Sequence, residues 1–387
     1  MSARSRTASS SAVATRWPPV AITLTIVTIL LTLLGLLMSF SASIVDAAQG
    51  GDAFATFRRQ GLWAALSIPA FAVATRFPRR HLRTLSWPLF FVALGLLLLV
   101  VLPGVGVTRF GATRWLGFGG FVFQPSEVAK LALLLWLADV LERKRPPDGV
   151  VHSTEHLLVP AVPALAVVGG FVMLQPDLGT AVLLALIVGA MLFVEGLRMR
   201  FILGSLALGA AVVGLLILVA DYRLARIRGW LYPEQFAQAE GFQLIQSWVA
   251  MGSGGIFGVG LGSSRGKWNF IPNPETDFVF AIIGEELGLV GAVGLISLFL
   301  LLLLLGLHVA FSAAPGYDRT LAFTITVWVV GQAFVNVGTV IGLLPITGVT
   351  LPLVSVGGSS LLVTMVSLGL LINVARLPSG EEVRRGG

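Results

Sequence analysis

Apolar residues run in blocks of about twenty along nearly the whole chain, separated by short polar or basic connections. A helix rises 1.5 Å per residue and the hydrocarbon core of a bilayer is about 30 Å thick, so each block has the length of one crossing. Ten blocks fall near residues 20–44, 59–75, 85–102, 126–142, 157–173, 179–195, 201–220, 278–308, 320–344 and 352–376. The pattern predicts an all-α, polytopic integral membrane protein of about ten transmembrane helices. Composition agrees: 56% of the 387 residues are hydrophobic and 12% are charged, against roughly 25% charged in soluble domains, and mean hydropathy is +0.91. The first block follows basic residues without a small-residue cleavage site, so it reads as a span and not as a removable signal.

Lys and Arg outnumber Asp and Glu by 26 to 19. In a membrane protein such an excess follows topology, and no nucleic-acid partner is expected. With the N-terminus inside, sixteen basic residues, including Arg79, Arg83, Arg143, Arg145 and Arg376, fall on the cytoplasmic side, nine fall outside and Lys130 lies within a span. Both termini are therefore expected in the cytoplasm. The predicted organisation is a disordered cytoplasmic N-terminus (1–19), a ten-helix membrane domain (20–376) and a cytoplasmic tail (377–387). Two extracytoplasmic connections are long: 103–125, and 221–277 between helices 7 and 8. Long loops on a rigid scaffold are where function concentrates. Within the second, GFQLIQSWVAMGSGG predicts an amphipathic or re-entrant helix ending in glycines, followed by loop.

Ionisable groups in or beside a span are costly and therefore candidates for function. Arg114, Glu127 and Lys130 surround the start of the fourth span. Glu127 and Lys130 share a helix face and form either a structural ion pair or the wall of a polar cavity, with Arg114 at its mouth offering a planar fork to phosphate oxygens. Asp277 abuts the apolar run of the eighth span, where a carboxylate could accept a proton from a sugar hydroxyl. Glu285 and Glu286 project about 100° apart and are not expected to face the same partner. The glycine- and hydroxyl-rich LPLVSVGGSSLL opens the last span, where Pro352 could start the helix; Ser359 and Ser360 serve either close packing or a polar break. There are no cysteines, hence no disulfide, thiolate site or cysteine nucleophile. His152 and His156 have helical metal spacing without the rest of a metalloprotease signature, and the GSGG and GVGLG runs lack the Lys-Ser/Thr of a phosphate loop.

Four motifs at these residues resemble the SEDS family of bacterial cell-wall polymerases: RWLGFGGFVFQPSEVAKLALLLWLA from Arg114, QPDLGTA from Gln175, QSWVAMGSGGIFGVGLGSSRGKWNFIPNPETDFVFAIIGEELGLVG from Gln246, and LPITGVTLPLVSVGGSSLL from Leu344. They occur in family order and the likeness covers about residues 20–376. The GLGSSRGKW stretch is similar to the division branch of the family, not the elongation branch. Two positions depart from the family pattern: Glu275 stands where a His is usual and Val356 where an aromatic is usual.

The resemblance implies a glycosyltransferase that polymerises lipid II for septal wall synthesis and releases undecaprenyl pyrophosphate, with Asp277 as general base beside Thr276. Arg114, Lys130, Arg265 and Lys267 are then candidates for the pyrophosphates, and Glu127 supports Lys130. A pyrophosphate leaves as a stable anion, so one base and a cationic clamp suffice where a glycosidase needs two carboxyls. A divalent cation such as magnesium or manganese would fit this chemistry, although no preformed ligand cluster is visible. Implied partners are a class B penicillin-binding protein transpeptidase and other divisome proteins, at the septal inner membrane. The competing readings are a lipid II flippase, an elongation-type polymerase for cell shape, and a non-catalytic scaffold.

Overall fold

The computed structural model describes residues 17–48, 54–109, 112–118, 121–145, 154–219, 221–264, 266 and 275–376. The chain order is α1 (Pro19–Ala48), α2 (Ala55–Ala74), α3 (Arg79–Val101), β1 (Gly106–Arg109), β2 (Ala112–Phe118), β3 (Phe121–Phe123), α4 (Pro125–Arg143), α5 (Thr154–Leu174), α6 (Leu178–Val194), α7 (Met199–Val219), α8 (Asp221–Leu231), α9 (Phe242–Gly254), α10 (Val279–Glu286), α11 (Gly288–Ser312), α12 (Tyr317–Val340) and α13 (Gly358–Ala375). Every apolar block coincides with helix. Among the described residues, α1, α3, α5, α11, α12 and α13 are each long and apolar enough to cross a membrane, and α6 is a shorter apolar helix. Length and composition do not mark α2 and α4 as crossings: α2 opens on Arg58 and Arg59, and α4 carries Glu127, Lys130, Asp139, Glu142 and Arg143.

The helices sort by what surrounds them. Nearly all of α4 and α12 is buried, including Leu133, Leu134, Leu137, Ile325 and Trp328. By contrast, α3, α5 and α11 turn apolar side chains such as Phe91, Val159 and Leu304 outward, as a lipid-facing surface requires. Polar residues are therefore confined to the centre and the two ends. One end holds ion pairs between Arg83 and Asp139 (2.7 Å), Arg143 and Asp139 (2.6 Å), Arg145 and Glu195 (2.6 Å), and Arg79 and Asp318. These are the basic residues assigned to the inside by their distribution. The other end carries the sheet, α8 and α9.

Three local expectations are corrected. The connection 103–125 is not all loop: β1, β2 and β3 form an antiparallel sheet, with Val107 opposite Trp115 and Leu116 opposite Phe123. The last helix starts at Gly358 and not at Pro352. Residues 351–355 instead make a tight turn in which Ser355 Oγ accepts from the Leu351 N–H (2.8 Å), and Leu353 takes the left-handed conformation (φ 65°). The eighth block is broken at Leu287, giving α10 and α11.

That break would strand backbone groups at several kcal/mol each in a membrane. The loop after α9 satisfies them: Val259 and Gly260 N–H donate to the carbonyls of Glu285 and Glu286 (3.0 and 3.1 Å), and Leu289 and Val290 N–H donate to those of Gly255 and Ile256 (2.9 and 3.1 Å). The glycine runs that mimic a phosphate loop thus serve close backbone approach. Gly258 has φ +83°, and a Cβ there would lie 2.0 Å from the Glu286 carbonyl oxygen. Gly258→Ala is expected to lower stability by about 2 kcal/mol or more, read as a melting shift in detergent. Gly252→Ala on α9, where a Cβ meets nothing within 4 Å, is expected to be neutral or slightly stabilising.

Candidate active site

A cavity of about 600 Å³ opens among β2, α2, α4, α6, α12 and the segments before α10 and α13. That size lies within the range of small-molecule sites. Arg114, Glu127, Lys130, Thr276, Asp277, Ser359 and Ser360 all line it, so seven side chains singled out in the sequence converge from four separate regions. Arg265 and Lys267 lie outside the described residues, as do residues 1–16 and 377–387 of the predicted termini and His152.

Each group is held by an identifiable local cause. Lys130 is fully buried on α4; its Nζ lies 2.9 Å from Glu127 Oε2, donates to Gln332 Oε1 (3.1 Å), and sits 5.2 Å from the centre of the Trp328 ring. A buried ammonium needs this many partners because leaving water costs several kcal/mol. Arg114, carried by β2, donates through Nε to the Gln175 carbonyl (3.1 Å) and through Nη2 to that of Pro176 (2.5 Å), with Asp177 Oδ2 3.7 Å from Nη1. Asp177 caps α6 by accepting from Thr180 N–H (3.1 Å) and Oγ1 (2.9 Å), and also accepts from Gln124 Nε2 (3.3 Å). The Gln124 N–H donates to Ser359 Oγ (3.1 Å), which ties the start of α4 to α13.

Asp277 stands before α10, half-buried in the wall. Burial pushes its carboxyl up to about 6, against the opposing pull of the Thr276 hydrogen bond and the Arg114 and Arg226 charges; Asp177 adds to the rise. Its backbone is pinned by Asn336 on α12, whose Nδ2 donates to the carbonyls of Asp277 and Val349 (2.8 Å each). The Ser355 hydroxyl donates to the Thr276 carbonyl (2.5 Å). The Val356 N–H donates to the Glu275 carbonyl (2.9 Å). The two positions that depart from the family pattern are thus hydrogen-bonded neighbours on one wall.

The expectation that Glu285 and Glu286 cannot face one partner is corrected. Both are buried outside the cavity and both hold the loop after α9: Glu285 accepts from the Ser264 hydroxyl and the Gly266 N–H (3.2 Å), while Glu286 accepts from the Ser264 N–H (3.4 Å), the Gly262 N–H (3.1 Å) and the Ser41 hydroxyl (2.9 Å). The loop wraps the end of α10, so directions 100° apart still meet it. Sequence reasoning missed Gln124, Asp177, Arg226, Gln332 and Asn336. One of them carried a readable signal: Asp177 precedes an apolar run with Thr180 three residues later, an N-cap pattern; Gln332 and Asn336, amides four apart inside an apolar block, carried a weaker one.

The site can therefore do one-sided acid–base and anion-binding chemistry, with a poised carboxylate opposite buried and rim cations. Among the described residues, no three His, Cys, Asp or Glu side chains converge as a metal site. The family model for cell cycle proteins of the FtsW, RodA and SpoVE type matches residues 21–379. The probable peptidoglycan glycosyltransferase FtsW of Geobacter metallireducens is 42% identical over 90% of this chain and 93% of its own length. The stage V sporulation protein E of Bacillus subtilis is 40% identical over 91% and 96%. The FtsW of Mycobacterium tuberculosis is 42% identical over 90% of this chain, which spans about two thirds (66%) of that longer relative. Among solved structures, the rod shape determining protein RodA of Thermus thermophilus superposes with a TM-score of 0.67 at 31% identity, covering 94% of this chain and 97% of RodA. A chain from a peptidoglycan synthase complex that coordinates polymerisation and crosslinking superposes at 0.75 and 32% identity, covering 94% and 98%. With the motifs, the helical architecture and the cavity in agreement, this chain belongs to the FtsW/RodA/SpoVE family of multi-pass membrane proteins.

Proposed function

We propose that this chain is a peptidoglycan glycosyltransferase that polymerises lipid II for septal wall synthesis, working on the extracytoplasmic side with both termini in the cytoplasm. The observation that carries the reading is the pairing, in one cavity, of Asp277 with Arg114, Lys130 and Arg226. Asp277 accepts the proton of the acceptor sugar's 4-hydroxyl as that oxygen attacks the donor's anomeric carbon, which inverts. The bond to undecaprenyl pyrophosphate breaks, and the cations stabilise the departing charge where water is scarce. Glu127 holds Lys130 in place. Ser359 and Ser360 offer hydroxyls to the sugar or phosphate oxygens. Arg265 and Lys267 remain candidates for the second pyrophosphate on chemical grounds. A magnesium or manganese ion would arrive with the pyrophosphate, since the wall carboxylates Glu127 and Asp177 are already engaged by Lys130 and by Thr180 and Gln124.

A transporter of the same lipid needs a polar path through the bundle. Along α4, the next ionisable residue beyond Lys130 is Asp139, about 14 Å further on, and Leu131, Leu133, Leu134, Leu135 and Leu137 are buried between them. Along α4, then, no charged group continues the cavity toward the other end. The names of the relatives support the division role over the elongation role, and the synthase-complex likeness supports a class B penicillin-binding protein as partner, with other divisome proteins around it. The test is polymerisation of purified lipid II in detergent by the chain together with its penicillin-binding protein, the latter's own active site blocked. Long glycan strands are expected. No polymer, with lipid II crossing a liposome bilayer instead, would establish the transporter; complex formation with neither activity would leave a scaffold.

A further inference from the structure

The cavity's base and its buried cation are both secured by one helix, α12. Gln332 and Asn336 stand one turn apart on α12, and both are buried. Gln332 accepts from Lys130 Nζ (3.1 Å) and Trp328 Nε1 (3.0 Å), and donates through Nε2 to the Thr350 carbonyl (3.0 Å). Asn336 uses both Nδ2 hydrogens, one on the Asp277 carbonyl and one on that of Val349, each at 2.8 Å. The two amides therefore stitch the segment 349–350 to α12, and through it connect the Lys130 network to the backbone of Asp277.

We propose that Asn336 and Gln332 are positioning residues for the glycosyl transfer: they fix the general base relative to the buried ammonium. The inference rests on the assignment of Asp277 and Lys130 above. Asp277 sits in a connection before α10, and Asn336 ties its backbone to α12. Amides suit the task in a membrane interior, since each donates and accepts without carrying a charge. Asn336 Oδ1 is buried without a hydrogen-bond partner, which shows that the donor side of the amide is what the site uses.

The experiment compares Asn336→Asp, which keeps the shape and loses both donors, with Asn336→Leu and Gln332→Glu, in the holo complex with the blocked penicillin-binding protein. Misplacement of a catalytic group by an ångström costs about 100-fold in rate, so kcat for polymerisation is expected to fall about 100-fold in Asn336→Asp, with KM for lipid II changed by less than about threefold. The acid limb of the pH profile is expected to move to lower pH in Asn336→Leu, which adds no charge beside the base, because a loosened Asp277 gains water, while Arg114 and Arg226 still face it and Asp177 and Glu275 lie on the same cavity wall. A role in folding alone would lower the amount of folded complex and leave the limb and KM of the surviving fraction unmoved. Wild-type kcat in folded Asn336→Asp, or a loss of rate with an unmoved acid limb in folded Asn336→Leu, overturns the proposal. If Asn336→Leu does not fold, the Asp and Gln332→Glu variants decide. Full activity of Asp277→Asn would overturn the underlying assignment instead, whereas an inactive Asp277→Asn beside fully active Asn336 variants overturns only this inference.

Discussion

Asp277→Asn is expected to abolish glycan synthesis, by about 1000-fold or more, while the protein melts at a higher temperature than wild type at neutral pH. The loss follows from removing the base that accepts the attacking hydroxyl's proton, an effect of 10²–10⁴-fold in general-base catalysis. The gain in stability has the opposite origin. Folding raises this carboxyl to about 6 by burying it, so its contribution to stability is fully present below the range of an unfolded Asp and is lost as pH rises through about 6. At pH 7 the ionised side chain therefore weighs against the fold, by no more than about 3 kcal/mol, and a neutral amide relieves it. The same sign governs the wild-type rate: polymerisation is expected to fall as pH drops below about 6, when Asp277 becomes protonated. A steady-state pH profile with a melting series on both proteins checks this. An inactive variant that is also strongly destabilised would mean that Asp277 holds the structure and does not perform the chemistry.

Lys130→Met is expected to cost about 3–5 kcal/mol, because it leaves the Glu127 carboxylate buried without its cation. The double change Glu127→Gln with Lys130→Met removes both charges and is expected to recover most of that loss. Activity separates the two readings of this pair. If Lys130 steadies the leaving pyrophosphate, the double variant folds, joins its partner and still polymerises at least about 100-fold more slowly. If the pair only locks helices together, the double variant polymerises at the wild-type rate. Melting temperature and strand synthesis on the four proteins of this cycle give the answer, with the coupling read as the departure from additivity.

Much of the site was legible because intramembrane charge is rare. Arg114, Glu127, Lys130 and Asp277 stand out against apolar runs, and the structure brings them together with Thr276, Ser359 and Ser360. What escaped was uncharged or weakly patterned. Gln332 and Asn336 look like ordinary polar interruptions of a helix until their partners at 349–350 and 277 are known. The strands β1 to β3, three to seven residues long, give too short an alternation to compete with neighbouring helical blocks, yet β2 is what aims Arg114. Glu285 and Glu286 carried the right alarm, buried charge, and the wrong destination.

The sequence by itself determined the class of fold, the number and order of the apolar blocks and the family. These depend on local quantities: block length against bilayer thickness, and the position of each charge along the chain. Only the tertiary structure decided where the eighth block breaks, why the last helix begins at Gly358, and which carbonyls the amides of α12 hold. Those outcomes depend on groups finding partners distant in sequence, as Val259 does with Glu285, Asn336 with Asp277, and the loop after α9 with α1 through Ser41. In a medium without water to satisfy them, such groups are settled by packing in three dimensions, and no window of sequence contains both members of the pair.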